Sequence, residues 1–226
     1  MFIQLHALTS YPSALLNRDD VGFAKTLPFG GTTRTRVSSQ CLKYHWRKHD
    51  GKMTLKDTWI PLAVRSREIF RDLIAEKLDA PPAHAAAAAF TMQKHVVGAK
   101  SPTKKEIADI FDSEDPMSET STDQPIVLGP AEIDHLRGIA QDLCDQATEA
   151  EDGDVAGVFT GAPINKDQMK NLSSGLDAAL FGRMATSEVL SQTNAALHVA
   201  HSFTVHKQEQ ETDYFAVVDD LTSAEG

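Results

Sequence analysis

The order of two periodicities along the chain constrains its fold more than any other feature of the sequence. Phe2 to Leu8 sets Phe2, Gln4 and His6 against Ile3, Leu5 and Leu8, a short strand signal. Residues 195–206 (AALHVAHSFTVH) again read as a strand, followed by a polar turn and the aromatic segment TDYFAVVDDL. Between these ends the spacing is mostly helical. Ser38 or Ser39 is an N-cap candidate for a helix through QCLKYHWRKH. Residues 65–78 place Ile69, Leu73, Ile74 and Leu78 on one stripe, and residues 130–150 do the same with Ile133, Leu136, Ile139 and Leu143. Segments 83–89, 103–111 and 174–181 are also expected to be helical.

Two stretches break the pattern. Residues 9–33 hold Pro12, Pro28, Gly22, Gly30 and Gly31 and are expected to form a long loop. Residues 112–125 (DSEDPMSETSTDQP) are acidic, rich in Ser and Thr and poor in apolar groups, which predicts a mobile loop.

Charge bounds the function classes. The net charge of −10 argues against a phosphate-binding or anionic-membrane surface when read as a total. Its distribution reopens the question. Residues 1–60 carry nine Lys/Arg against four Asp/Glu, a net +5, while the remainder carries 13 against 28, a net −15. Such asymmetry suits one basic working surface on an acidic body, and equally ordinary scatter. Two cysteines, Cys41 and Cys144, exclude a disulfide scaffold and a four-cysteine zinc site. No apolar run is long enough to span a membrane, and MFIQLHALTSYPS lacks a basic leader region. A soluble cytoplasmic protein is the expectation.

Within the 39–49 helix, Leu42, Trp46, His49, His45 and Cys41 fall on an expected core side. Gln40, Lys43 and Arg47 cluster on another, with Tyr44 beside them. Two cations at a helix start, where backbone N–H groups lack intrahelical partners, suit a phosphodiester; a solvated, N-capped helix face fits the same pattern. His45 and His49 have metal-chelating spacing, but Trp46 stands where the metalloprotease pattern needs Glu, and no third ligand follows. Neither a GxSxG elbow nor a phosphate-binding loop occurs. Asp19 and Asp20 are candidate general bases or magnesium ligands, though adjacent side chains usually point apart.

The succession FIQLHALTSYPSALLNRDD, GGTTRTRVSSQCLKYHWR, GRMATS and AHSFTVHKQEQETDYFAVVDDL resembles the backbone subunit of type I-E CRISPR Cascade, the CasC family, over residues 2–221. The resemblance implies an α/β (α+β) fold: a ferredoxin-like, RRM-like palm with a helical finger insertion and an extended thumb. It places palm strand, loop and RNA-binding helix in 1–60, the finger in 61–180, and the return to the palm with the start of the thumb in 181–226. The family's C-terminal remainder is absent.

The implied function is non-catalytic. Copies polymerise along one CRISPR RNA within a larger Cascade assembly and present its spacer for pairing with target DNA. No cofactor or metal is implied. Asn17 and Arg18 of NRDD, Ser38, Ser39, Gln40, Lys43, Tyr44 and Arg47 of the helix block, and Arg183 and Met184 of GRMATS are the implied RNA-binding residues. Met184 would wedge beside an RNA kink, although a core methionine explains the same residue. His206, Tyr214 and Phe215 are assigned to the thumb. Tyr44 departs from the family's usual cation. A related ribonuclease chemistry, using Asp19 or Asp20 with a metal ion, is the alternative.

Overall fold

Gly30 and Gly31 sit at φ 64° and 75°, the left-handed pair that lets a two-residue turn match the twist of the strands it joins. They connect β1 (Thr26–Phe29) to β2 (Thr32–Val37) in an antiparallel hairpin with Phe29 opposite Thr32. In the computed structural model the described residues are 2–12, 14–98, 100–150, 154–161, 164–185 and 187–209. They form two compact units, one from the described residues up to 44 and from 199 onward, the other from the described residues of 45–198.

In the first unit, β5 (Ser202–Phe203) pairs antiparallel with the far end of β2, giving the order β1-β2-β5. Pro28 has no N–H to give a ladder, and it stands on an edge strand as that deficit requires. Phe29 and Phe203 hold ring contact at 4.9 Å across the sheet. Arg34 and Arg36 share one face of β2 by the two-residue period. The Arg34 guanidinium donates to the carbonyls of Phe29 and Thr204, at 3.1 and 3.0 Å. The hairpin corrects the expectation of a loop throughout 9–33. The expected strand at Phe2–Leu8 also differs: its residues are irregular and exposed, with no ladder partner among the described residues. Alternation supplies a face, but only a neighbouring chain supplies the hydrogen bonds of a strand. The second predicted strand contracts to Ser202–Phe203.

The core lies in the second unit. There α2 (Pro82–Gly98) is buried along most of its length, with Ala85–Ala89 and Met92 essentially inaccessible. Small side chains let neighbours approach this helix closely on every side. Around it pack α3 (Lys104–Phe111), α4 (Pro130–Glu149), an irregular helical stretch made of Ile69–Ile74 and Ala75–Lys77, and a single-turn helix at Pro116–Thr120. The stretch that was expected to be one amphipathic helix over 65–78 begins instead as β3 (Val64–Ser66). That strand pairs antiparallel with β4 (Ile126–Leu128) before Ile69, Phe70 and Ile74 turn into the core. Short helices α5 (Val155–Val158), α6 (Lys166–Lys170) and α7 (Leu176–Phe181) complete the unit. Segment 112–125 is not a detached loop. Thr120 and Thr122 are buried, and Thr122 N–H donates to the Arg67 carbonyl at 2.9 Å.

The start of α3 is a capping box. The Glu106 carboxylate accepts from the Thr103 N–H at 2.8 Å and hydroxyl at 3.0 Å, and from the Lys94 ammonium of α2 at 2.9 Å. The bond from Thr103 and then that from Lys94 hold Glu106 at about 2 instead of 4.5. A depressed carboxylate stabilises the fold above its unfolded value and loses that contribution as pH falls from 4.5 towards 2. Glu106→Gln is therefore expected to lower the thermal midpoint at pH 7 and to leave it nearly unchanged at pH 2, measured by circular dichroism at both.

Candidate nucleic-acid interface

The predicted RNA-binding residues divide between the two units. Those of the first unit converge on the start of α1 (Ser39–Lys48). Ser38 is its N-cap, accepting the Cys41 N–H on its hydroxyl at 3.2 Å. The Ser38 N–H donates to Asn17 Oδ1 at 3.0 Å, and the Ser39 N–H donates to His201 Nδ1 at 2.9 Å. The helix start is thus tied to the NRDD loop on one side and to the residue preceding β5 on the other. The same bonds correct the expectation of outward-pointing N–H groups, since the amides of Ser38, Ser39 and Cys41 already have partners inside the chain.

The NRDD loop is itself closed by backbone pairing between Arg18 and Ala24, and by the Lys25 N–H donating to the Asn17 carbonyl at 2.9 Å. Asp19 Oδ1 accepts the N–H groups of Val21 and Phe23, at 3.0 and 2.9 Å, so this carboxylate shapes the turn. Asp20 is exposed. Among the described residues no cluster of three His, Cys, Asp or Glu has metal-holding geometry. Arg18, Gln40 and Tyr44 are exposed, and Lys43 is half-buried. The side of α1 expected to enter a core does not: no residue of the helix is buried, and His45, Trp46 and His49 are exposed.

In the second unit the residues meet different fates. Arg47 lies 3.6 Å from Asp177, whose other oxygen accepts the Ala63 N–H at 2.7 Å. Arg183 is buried. Its guanidinium grips Glu132 through two bonds of 2.6 and 2.9 Å, and its remaining donors reach Ser191 and the Val127 carbonyl. Every donor is spent inside the fold, which corrects the assignment of Arg183 to a phosphate. Met184, the next residue, is 88% exposed, so it is no core methionine. The backbone bridge between Arg183 and Thr193 closes the loop that carries it. His206 is exposed, with Nδ1 2.8 Å from the Lys207 carbonyl. Tyr214 and Phe215 lie outside the described residues.

Sequence reasoning missed His201 and the arginine pair on β2. Arg34 and Arg36 were legible in the alternation of TRTR after two glycines. Arg36 carries a buried Nε with no bonding partner. Nothing in the sequence around His201 signals its bond to Ser39. Burial, reinforced by Asp145, pushes the Cys144 thiol up to about 11, which makes it a poor nucleophile. Among the described residues no helix is long and apolar enough to cross a membrane.

One chain of a CRISPR RNA-guided surveillance complex, pre-nicking, is similar to this one at 29% identity and a TM-score of 0.61. The similarity covers 93% of this chain and 54% of that one. A chain of a second CRISPR RNA-guided surveillance complex is similar at 29% identity and a TM-score of 0.56, over 87% and 56%. The protein thus spans about half the length of the solved chains that it matches. Comparison with curated proteins finds no match. The mixed α/β fold with small antiparallel sheets and these likenesses define a Cas protein of the Cascade type. The chain belongs to the CT1975-like family, whose family model matches residues 3–226.

Proposed function

We propose that the protein is a guide-RNA-binding backbone subunit of a type I-E Cascade. In this reading it polymerises along the CRISPR RNA and offers the spacer to target DNA, without catalysis of its own. The first unit supplies the RRM-like palm and the helices of the second the finger, and residues 181–226 return to the palm and begin the thumb. One observation supports the reading most directly: the Asn17–Ser38 bond joins two blocks far apart in sequence into one surface. Arg18 adjoins Asn17 in the chain, and Gln40 and Lys43 follow Ser38 on α1. A positive, sequence-indifferent grip on phosphates is what a subunit serving many spacers needs. Met184, held outward beside a buried anchor, is suited to wedge against an unstacked base.

Expressed together with a guide RNA and the remaining Cascade subunits, the protein is expected to purify with a discrete small RNA and high absorbance at 260 nm. Nucleic-acid-free assemblies from such cells would overturn the reading. Incubating that complex with magnesium and target RNA checks its non-catalytic character. Cleavage that is lost in Asp20→Ala would assign the protein to a ribonuclease instead.

A further inference from the structure

Trp46 is 43% exposed although a tryptophan ordinarily gains much by burial. With Leu180, Phe181 and Leu197 it lines a groove of about 250 Å³ in the second unit. Its ring lies 6.3 Å from that of Phe181, tilted by 33°. Met53 stands at the rim, 96% exposed and at φ 60°, a left-handed conformation that a methionine rarely adopts. The groove is smaller than the roughly 300–1,000 Å³ of a typical small-molecule site, and its size suits one planar ring.

Two further observations select the occupant. The segment that builds the groove also carries Lys48, Lys52 and Lys56 beyond the Arg47 paired with Asp177, against only Asp50 and Asp57, and Asp57 accepts the Thr54 N–H at 2.9 Å. Among the described residues Lys48, Lys52 and Lys56 make no ion pair, in a chain whose net charge is −10. An apolar protein segment would have no use for these cations; a polyanion would. The polar lining is His49 and Thr54, and the Thr54 hydroxyl already accepts the Lys56 N–H at 3.1 Å. So sparse a set of polar groups cannot read a base edge, whereas an indole face stacks any base.

We propose that the groove beside Trp46 stacks one unpaired nucleobase of a single-stranded nucleic acid, with the lysines of 48–56 along its phosphates. The site uses none of the residues that carry the reading above and does not depend on it. RNA and DNA single strands present the same chemistry here.

The chain has two tryptophans, Trp46 and the 92% exposed Trp59. Trp59→Phe in the full chain therefore leaves Trp46 as the sole fluorophore. Titrating it with oligouridine, oligothymidine and an abasic oligomer of equal length is expected to give saturable quenching with the base-bearing strands and little with the abasic one. Quenching by only the RNA or only the DNA supports the site and identifies its strand. Equal quenching by the abasic strand, or none by either base-bearing strand, overturns it. Read by filter binding, since these variants lack the fluorophore, Trp46→Ala should weaken binding of the quenching strand about tenfold, with an unchanged salt slope, and Trp46→Phe should restore most of it. Lys43→Ala should leave the quenching amplitude intact, which separates failure of this site from failure of the phosphate grip at α1.

Discussion

Glu132→Ala is expected to cost about 3–5 kcal/mol of unfolding free energy, a fifth or more of what a domain ordinarily has. The side chain is 0% exposed, and it does two things at once. One oxygen accepts the Gly129 N–H at 2.8 Å, at the start of α4, and both oxygens hold Arg183. Truncation leaves a guanidinium stranded in the interior with no counter-charge, and leaves an N–H at the start of α4 without its acceptor. Urea denaturation followed by circular dichroism measures the loss. The double replacement Glu132→Met with Arg183→Met should recover much of it, because two apolar groups leave no charge behind. A Glu132→Ala protein as stable as its parent would mean that the pair is not buried as described.

The second large effect is on binding. Replacing Arg18 and Lys43 together by Ala is expected to weaken guide-RNA binding by roughly a hundredfold or more at low salt, since each charge-assisted bond to a phosphate contributes about 1.5–3 kcal/mol. The log–log salt slope should become shallower by about 1.4, at about 0.7 per lost contact on a single strand. The loss should be the same for unrelated spacers, because phosphate contacts carry no sequence information. Filter binding across a salt series reads both quantities. A loss confined to one spacer would contradict the proposed grip. Arg47 is a poor probe of it: Arg47→Ala also removes the partner of Asp177, which is 6% exposed. Reduced binding in that variant would mix a lost contact with a loosened fold.

What the sequence made legible follows from where its signals are local. The helices over 104–111 and 130–149 carry their own periodicity, and the first of them its own cap at Thr103 and Glu106, whereas the helix over 82–98 showed only as an alanine-rich stretch at 83–89. The α1 start was visible in its serines. The β1–β2 hairpin was hidden because Gly30 and Gly31 weigh as loop residues unless the flanking segments are recognised as partners. Segment 112–125 misled for the opposite reason: its composition is that of a solvated loop, yet Thr122 is held by the carbonyl of Arg67, 55 residues earlier, which no local pattern announces. Arg183 shows the limit for site residues. The resemblance of GRMATS implies an RNA contact for this cation, and only the fold brings Glu132, 51 residues earlier, against it.

Ser38 is the single buried residue among the described residues of the first unit, while Phe2, Leu5, Leu8, Val21 and Val205 stand largely in water. A unit with so little shielded apolar surface draws its order from hydrogen bonds such as Asn17 to Ser38 and Arg34 to Thr204, each modest in net terms. Its amides should open to solvent exchange at far lower free energy than those of the alanine-lined α2. A ligand that binds only the closed form adds its own binding energy to that balance. On the proposed function, an RNA seated at the start of α1 is therefore a structural member of this unit as much as its cargo, and occupied and empty copies differ in rigidity before they differ in shape.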